Sequence, residues 1–382
     1  MAQTSDFPLM LEIDHAEGVW LEGPGGKYLD LISGIGVSSI GHRHPRVVQA
    51  IKEQVDKYLH LMVYGEFVQS PQVELAKALT DTLPPTLDNV YLLNSGSEAI
   101  EGALKLAKRY TGRPEIISFS NAYHGSSHGA LSISGSEDFK RNFRPLVPGT
   151  LQVRFGVEED LSQISQNTAA VIIETVQGEA GVRVADEEYF RALRKTCDDH
   201  GALLITDEIQ CGFGRTGKLW AFEHYGIIPD IVVAAKGMGG GMPIGAFMSS
   251  QEIMAVFKND PILGHITTFG GHPVSAAASL ATIKVIHEEE LLRDVDKKAE
   301  IFKKRLSHPL IKETRNKGLM MAVEFEDFEI LKPIIDKAIN RGVLTDWFLF
   351  CDNSMRIAPP LNISEEEIHW ACDQVLASLE DS

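Results

Sequence analysis

Cysteines, long apolar stretches and basic residues are all scarce in this sequence of 382 residues. The four cysteines are Cys197, Cys211, Cys351 and Cys372. No two of them have the close spacing of zinc ligands or of a redox pair, so we expect no metal site and free thiols in a reducing, cytoplasmic compartment. No apolar run approaches the length that spans a bilayer, and the first residues lack the basic and apolar regions of a signal peptide. We therefore expect neither a membrane protein nor a secreted one.

Acidic residues outnumber basic ones by 53 to 36, which gives a formal net charge of −17. This excess of negative charge disfavours binding to nucleic acid or to an anionic membrane. An anionic ligand would have to be held by a local arrangement of donors. The apolar fraction of 44% is typical of soluble globular proteins, and the length predicts two domains, or one large and one small lobe.

Short apolar runs in the middle of the chain are predicted to be strands. They are residues 89–93, 115–120, 169–176, 202–209 and 230–235. Because they are apolar nearly throughout rather than alternating, we expect them to be buried on both faces. Helical patterns, such as residues 97–110 and 187–201, fall between them. This order predicts an α/β fold with a mostly parallel sheet, and a shift to longer helices with sparse strands after about residue 275 predicts a smaller second lobe.

Polar residues that follow these strands are candidates for a binding site, because ligands bind beyond the carboxyl ends of the strands in such sheets. In the segment NSGSE, Ser95 and Glu98 have the spacing of a capping box, and Gly96 would let an anion approach the first N–H groups of a helix. Alone, this segment is simply a well-capped helix. Tyr123 follows the second strand and could stack on a flat cofactor, although a half-buried Tyr123 beside a surface His124 is the commoner situation.

Asp207 and Lys236 come at the ends of two further apolar runs. A buried Asp207 needs a cationic partner, and a protonated pyridine nitrogen or the nearby Arg215 would serve equally well. Lys236 is followed by the glycine-rich segment GMGGGMPIGA, which leaves room beside its side chain. Desolvation there would lower the pKa of the amine and make the neutral, nucleophilic form accessible. We therefore predict that Lys236 forms a Schiff base with an aldehyde cofactor.

Three further segments have features of ligand-binding sites. Residues 212–217 fit the G-x-G-x-x-G pattern, but no helical pattern follows and no acidic residue stands about 20 positions further on, so we reject a nicotinamide site. Residues 265–273 offer two hydroxyls before a Gly-Gly turn, which could bind a phosphate or form only a turn. Arg356 lies in a short extended segment that two prolines end. Its planar guanidinium group could bind a carboxylate of a ligand or form a structural ion pair.

The segments TDEIQCGFGRTG and AAKGMGGGMPIGA, with KYLDLISGIGVSSIGHRHP near the amino terminus, resemble the class III pyridoxal-phosphate-dependent aminotransferases of fold type I. The resemblance extends over nearly the whole chain. It implies pyridoxal 5′-phosphate as the cofactor. It also implies a large cofactor-binding domain at residues 46–274 and a smaller α+β domain formed by residues 1–45 and 275–382.

The resemblance implies roles for individual residues. Lys236 would carry the cofactor and shuttle a proton, while Asp207 would keep the pyridine nitrogen protonated. The remaining cofactor contacts would come from Gly96, Ser97, Tyr123, Ile209 and Gln210, and from Thr268 of a neighbouring subunit. Arg356 would bind a substrate carboxylate, and Glu179 would pair with Arg356 when a different substrate is present. The role of Thr268 implies a homodimer with shared active sites.

Acetylornithine, ornithine and 4-aminobutyrate aminotransferases form the most similar subgroup. This resemblance implies ping-pong transfer from an amino acid or an ω-amine to a 2-oxo acid such as 2-oxoglutarate. Two positions depart from the subgroup: Ser126 stands where an arginine usually binds a substrate carboxylate, and His272 stands where asparagine usually precedes Pro273. The amino donor and the physiological direction therefore stay open. A racemase, epimerase or aminomutase on the same framework, and a non-catalytic protein with this fold, are alternative interpretations.

Overall fold

The computed structural model describes residues 2, 4–5, 8–63 and 65–380. Its strands are β1 (His15–Glu17), β2 (Trp20–Gly23), β3 (Gly26–Asp30), β4 (Asn89–Leu93), β5 (Glu115–Phe119), β6 (Thr150–Val153), β7 (Thr168–Glu174), β8 (Leu203–Asp207), β9 (Ile231–Ala234), β10 (Gly245–Ser249), β11 (Glu313–Lys317), β12 (Met320–Glu324), β13 (Val343–Leu344), β14 (Trp347–Phe348) and β15 (Cys351–Ile357). Its α-helices are α1 (Ser33–Gly36), α2 (Pro45–Lys57), α3 (Ser70–Thr80), α4 (Gly96–Thr111), α5 (His128–Ser132), α6 (Glu137–Lys140), α7 (Glu187–His200), α8 (Gln251–Met254), α9 (Pro273–Glu288), α10 (Val295–Arg305), α11 (Phe328–Asn340) and α12 (Glu365–Glu380).

Seven strands form the central sheet in the order β4-β10-β9-β8-β7-β5-β6. Strands β5 to β9 pair in parallel, and β10 is antiparallel to both β4 and β9. Alternate residues of β7 pack on opposite faces: Val171 and Ile173 join one hydrophobic cluster with α7, while Ala170 and Ile172 join another with α4. Burial on both faces explains why the strand sequences are apolar throughout. The predicted α/β fold with a mostly parallel sheet is confirmed, whereas the sequence did not predict β6 and β10.

Two smaller sheets accompany the central one: the first combines strands from both ends of the chain, and the second is formed by strands from the carboxyl-terminal part alone. One has the order β1-β2-β3-β13, with β13 parallel to β3, and the other is antiparallel with the order β11-β12-β15-β14. A separate hydrophobic cluster packs these sheets against α10, α11 and α12. Strands β11 to β15 all follow residue 275, which is more than the sequence indicated, because several of them are too short to leave a clear pattern.

The domain boundaries 46–274, 1–45 and 275–382 stay a prediction. Within them, residues 1, 3, 6, 7, 64, 381 and 382 lie outside the part of the chain that the structure describes. In the described ranges, no helix is long and apolar enough to cross a membrane. The same ranges contain no cluster of His, Cys, Asp and Glu side chains that could hold a metal ion.

Candidate active site

A cavity of about 440 Å³ opens beyond the carboxyl ends of β5, β7, β8 and β9. Its volume lies within the range of about 300–1,000 Å³ that is typical of small-molecule sites. The predicted site residues that line it are Gly96, Ser97, Tyr123, Glu179, Asp207, Ile209, Gln210 and Lys236. Arg356 joins this set through its contact with Glu179. The parallel sheet thus brings together residues that are far apart in the chain.

Lys236 lines the cavity in a strained backbone conformation. It follows the end of β9 and begins a 3-10 helix, Lys236–Gly239, with a φ of +42°, in the left-handed region that non-glycine residues rarely adopt. Burial lowers the pKa of its amine, an effect that the Glu179 carboxylate opposes and the Arg356 guanidinium reinforces. Both features distinguish Lys236 from a solvated surface lysine.

Asp207 ends β8 and is 3% exposed. Its Oδ2 lies 2.7 Å from Nδ1 of His124, and its Oδ1 accepts a hydrogen bond from the backbone N–H of Ile209 at 3.0 Å. The alternative ion pair with Arg215 is wrong, because Arg215 instead donates to backbone carbonyls in the carboxyl-terminal part of the chain. His124 is buried rather than at the surface. Burial opposes protonation of His124, but the hydrogen bond with Asp207 and the negative charges of Asp207 and Glu174 together outweigh burial and raise the pKa of the imidazole.

Helix α4 begins at Gly96, and its amino terminus faces the cavity. Ser95 Oγ accepts a hydrogen bond from the backbone N–H of Glu98, as a capping box requires. The Glu98 carboxylate, however, accepts from the backbone N–H of Asn94 rather than from that of Ser95. The predicted capping box is therefore half formed. The first N–H groups of α4 and the helix dipole make this terminus a suitable anion site.

Two glycines allow close packing around this terminus. A Cβ atom on Gly96 would lie 2.9 Å from Cδ1 of Ile209. A Cβ atom on Gly125, whose φ is +124°, would lie 2.2 Å from Oγ of Ser97. Glycine at these positions lets the segment that carries Tyr123 approach the amino terminus of α4.

Glu179 and Arg356 form a buried ion pair at the side of the cavity. Nη1 of Arg356 lies 3.1 Å from Oε1 of Glu179, and Nη2 lies 3.0 Å from Oε2. Asp346 contacts Nε of Arg356 at 2.8 Å, so the guanidinium is shared between two carboxylates. Burial would raise the pKa of Glu179, but Arg356, with smaller contributions from Lys236 and Gln210, outweighs burial and lowers the pKa to about 2. Gln210 donates a hydrogen bond to Oε1 of Glu179 at 3.0 Å.

Glu174 and Asp346 belong to the site but were not among the predicted residues. Glu174 ends β7 beside Asp207, lines the cavity, and has its pKa raised by burial to about 7. The signal that marked Asp207, a carboxylate at the end of an apolar strand, was equally present at Glu174. Asp346 carries no comparable signal, because its approach to Arg356 depends on how the chain folds back between β13 and β15.

Thr268 lies outside this cavity, and its side chain is exposed. Its backbone carbonyl accepts a hydrogen bond from Nε2 of His60 at 2.9 Å. The preceding Thr267 accepts one from the side-chain amide of Asn94 at 3.0 Å. A single chain therefore does not bring Thr268 to its own cavity, and its expected contact with a neighbouring subunit's cofactor stays a prediction.

Residues 1–379 match the family model described as aminotransferase class-III. The chain belongs to the class-III aminotransferases. This aminotransferase is 41% identical over 383 residues to the acetylornithine aminotransferase of Methanopyrus kandleri, with 99% of this chain and 95% of the relative covered. It is 37% identical over 393 residues to ornithine aminotransferase 2 of Staphylococcus saprophyticus, with 98% and 95% covered. A solved structure of the ornithine aminotransferase of Toxoplasma gondii, with partial occupancy of pyridoxal phosphate at its active site, matches with a TM-score of 0.87 at 31% identity, covering 96% of this chain and 89% of that one.

This aminotransferase depends on pyridoxal phosphate, and the relatives named above do not support the alternative of a racemase, epimerase or aminomutase. The cavity fits the cofactor. The amino terminus of α4 offers donors for a phosphate, and the Asp207 carboxylate retains lone pairs for a protonated ring nitrogen. Lys236 supplies an amine in the same cavity.

Proposed function

We propose that this aminotransferase takes an amino group from a carbon that bears no carboxylate, as in ornithine, acetylornithine or an ω-amine, and delivers it to 2-oxoglutarate by a ping-pong mechanism. The observation that supports this most strongly is the buried Glu179–Arg356 pair. While the pair is closed, the guanidinium is neutralised and offers no site for a carboxylate beside the reacting carbon. When a 2-oxo acid enters, its carboxylate can replace Glu179 on the same edge of the guanidinium.

Other residues of the cavity would bind the cofactor and move a proton. Bound pyridoxal phosphate supplies an aldehyde that condenses with amines and a ring that withdraws electrons from the reacting carbon. Lys236, with its lowered pKa, would hold the cofactor through its amine and, once released, would move a proton at the reacting carbon. Asp207 would keep the ring nitrogen protonated. Tyr123 and Ile209 would pack on the faces of the ring, and Gln210 would reach its phenolic oxygen.

The amino-terminal turn of α4, at Gly96 and Ser97, would bind the cofactor phosphate. The donor would extend in the opposite direction, toward Ser126, whose Oγ lies 3.1 Å from the hydroxyl of Tyr123. This hydroxyl pair offers neutral hydrogen bonds rather than a full positive charge. Phe350, whose ring centroid is 6.4 Å from that of Tyr123, extends the wall with an apolar surface. Such a wall favours donors with an apolar chain between the amine and the far end.

A donor screen tests this proposal. Each amine is added to the cofactor-loaded enzyme without an acceptor, and loss of the cofactor's absorption band is followed. We expect acetylornithine, ornithine, 4-aminobutyrate or a diamine to bleach the band faster than glutamate does, because glutamate must first open the Glu179–Arg356 pair. Faster bleaching by glutamate than by all of these amines contradicts the proposed donor class.

We also propose a homodimer with shared active sites. The segments 59–63, 65–68 and 262–269 contribute residues to the border of a second cavity of about 600 Å³, namely Val63, Gly65, Phe67, Ile262, Leu263, His265, Ile266 and Thr267. These segments expose large apolar side chains, among them Phe67 at 53% and Ile262 at 76%. An exposed apolar surface of this kind is typical of a subunit interface. Thr268 lies within it, in a suitable place to reach the site of a second subunit.

Sedimentation of the purified protein tests the dimer, with a mass of twice one chain as the expected result. Subunit mixing tests the shared sites. Mixed dimers of Lys236→Ala and Thr268→Val chains have one site with both substitutions and one site with neither. We expect the activity of the mixture to exceed the mean of the two parents, and a monomer or an activity equal to that mean contradicts the proposal.

We further propose a cytoplasmic location. The four cysteines are free thiols. Unpaired thiols are usual in a reducing compartment. Fractionation of the source cells, with recovery of the enzyme outside the cytoplasmic fraction, would contradict this location.

A further inference from the structure

Glu174 connects two loops that carry different parts of the site. It is the last residue of β7 and is 6% exposed. Its Oε1 accepts a hydrogen bond from the backbone N–H of Tyr123 at 2.7 Å, and its Oε2 accepts one from the backbone N–H of Gly178 at 2.9 Å. Both amides lie outside the helices and strands, so the ladder of the sheet does not determine their positions.

Gly178 directly precedes Glu179, and its surroundings are tightly packed. A Cβ atom on Gly178 would lie 2.1 Å from Oε1 of Gln210, so the backbone here is pressed against that side chain. Gln210 donates to Oε1 of Glu179, and the backbone carbonyl of Glu179 accepts a hydrogen bond from Phe350 at 3.0 Å. A displacement of the Gly178 backbone therefore changes where the Glu179 carboxylate meets Arg356.

The hydrogen bond from the Tyr123 amide to Oε1 of Glu174 determines the backbone position of Tyr123. Tyr123 lines the cavity, and the next residue, His124, bonds to Asp207 at the end of the neighbouring strand. Two adjacent strand ends thus hold two adjacent residues of this loop. Through its two oxygens, Glu174 reaches both the aromatic wall of the cavity and the loop that carries the ion pair.

A buried carboxylate destabilises a fold unless its surroundings compensate for lost hydration. Burial raises the pKa of Glu174 to about 7, an effect that His124 opposes and the negative charge of Asp207 reinforces. Lys236 also faces this group of charges. An apolar residue at the end of β7 would avoid the cost of burial but would leave the Tyr123 and Gly178 amides without this acceptor. The carboxylate is therefore better explained by the geometry of the site than by stability alone.

We propose that Glu174 is a positioning residue: it fixes the position of Tyr123, in the aromatic wall of the cavity, relative to the Glu179–Arg356 ion pair. This rests on the roles proposed above for Tyr123 and Glu179. The proposal gives Glu174 no contact with substrate and no proton transfer. Loss of the Glu174 carboxylate is expected to change both the binding of the 2-oxo acid and the environment of the cofactor, because both loops lose a hydrogen bond to the same side chain.

Glu208 offers a matched control at the end of the neighbouring strand. It is fully buried, and burial raises its pKa to about 7, as for Glu174. Its oxygens accept backbone hydrogen bonds from Ala221 at 2.6 Å and from Phe222 at 3.0 Å. These amides begin the 3-10 helix Ala221–Tyr225, which is not part of the cavity lining in the described chain. Glu208 also accepts a hydrogen bond from the Thr175 hydroxyl at 3.0 Å, but it does not contact the Tyr123 and Gly178 amides. Glu208→Gln therefore removes a carboxylate of the same kind while the acceptor of both loop amides stays in place.

The test compares wild-type enzyme, Glu174→Gln and Glu208→Gln by hydrogen exchange at single-amide resolution and by kinetics. With exchange measured at about pH 8, above the pKa of Glu174, the amides of Tyr123 and Gly178 are expected to exchange at least about tenfold faster in Glu174→Gln, because each loses a charged acceptor. In Glu208→Gln, the acceleration is expected at the two amides that Glu208 binds. Glu174→Gln alone is expected to raise KM for 2-oxoglutarate by about three- to tenfold with a smaller change in kcat, and to alter the visible circular dichroism of the bound cofactor.

Unchanged exchange at Tyr123 and Gly178 in Glu174→Gln overturns the proposal. An equal change of KM and dichroism in Glu208→Gln also overturns it, because general loosening would then explain both variants. If Glu174→Gln does not fold, exchange in the wild-type enzyme decides: strong protection of the two loop amides supports the proposal, and exchange at the rate of an unfolded chain overturns it. Exchange is measured without substrate, so failure of the donor screen remains distinguishable from failure of this proposal.

Discussion

Replacing Glu179 by glutamine tests the central ion pair of the site. Although burial acts in the opposite direction, Arg356 lowers the pKa of Glu179 from 4.5 to about 2. This depression corresponds to on the order of 3 kcal/mol of favourable interaction for the ionised carboxylate. Because the folded-state pKa is depressed, the contribution is present above about pH 4.5 and is lost as the pH falls toward 2. At neutral pH, Glu179→Gln is expected to lower the free energy of unfolding by up to this amount.

The same substitution is expected to change donor preference. An amino acid with a carboxylate beside its amine no longer has to displace a charged partner from Arg356. About half of the 3 kcal/mol estimated above corresponds to roughly a tenfold change in an equilibrium constant. We therefore expect kcat/KM for glutamate to rise at least about tenfold relative to that for 4-aminobutyrate. Single-turnover bleaching of the cofactor band with each donor measures this ratio.

Asp346→Asn is the matched control for Glu179→Gln. Asp346 contacts Nε of Arg356, whereas Glu179 occupies the edge formed by Nη1 and Nη2, where a substrate carboxylate would bind. Asp346→Asn removes a negative charge from the same guanidinium and is expected to lower stability without changing donor preference. An unchanged ratio of glutamate to 4-aminobutyrate in Glu179→Gln, or an equal rise in Asp346→Asn, would refute the reasoning.

Three further outcomes are expected. Lys236→Ala should abolish the absorption band of covalently held cofactor and reduce transamination by at least about 10³-fold at saturating cofactor, whereas an unaltered band would exclude Lys236 as the point of attachment. Gly125→Ala should lower the stability measured by thermal melting by about 1–3 kcal/mol and weaken cofactor binding, because φ is positive there and the added Cβ would collide with Ser97. Gly112 also has a positive φ but has open space around it, so Gly112→Ala should leave cofactor binding unchanged. Burial raises the folded-state pKa of Glu208 from 4.5 to about 7, so the contribution of Glu208 to stability is present below pH 4.5 and is lost as the pH rises through 7. The Tm of Glu208→Gln should therefore depend less on pH between about 5 and 8 than the Tm of the wild-type enzyme does. Equal pH dependence of the two Tm values would contradict the raised pKa of Glu208.

Local patterns were sufficient for residues at the ends of strands. Lys236 and Asp207 stand out because a charged residue rarely continues an apolar strand, and a parallel sheet brings such strand ends to one edge. Glu174 ends an apolar strand beside Asp207, so the rule that singles out Asp207 applies to Glu174 as well. The strand β10 was missed because it runs antiparallel within an otherwise parallel sheet and is joined to β9 by a short glycine-rich segment with one 3-10 turn rather than by an α-helix.

Long-range pairing could not be derived from the residues alone. Arg356 meets Glu179 across 177 positions, and Asp207 meets His124 across 83. Arg215 is much closer to Asp207 in the chain, yet its guanidinium donates to the backbone carbonyls of Leu319 and Pro359. Sequence proximity was therefore a poor guide, because the partner of a buried charge depends on how the sheets and loops pack in three dimensions.

The pairing of β3 with β13 has a consequence for the order in which the enzyme becomes functional during its synthesis. β3 lies near the amino terminus, and β13 follows more than three quarters of the chain. All of the strand ends that surround Lys236 leave the ribosome before β13 is made. The described residues that line the cavity around Lys236 are all made before Arg356, so the Glu179–Arg356 pair cannot form until the whole of this lining has been synthesised.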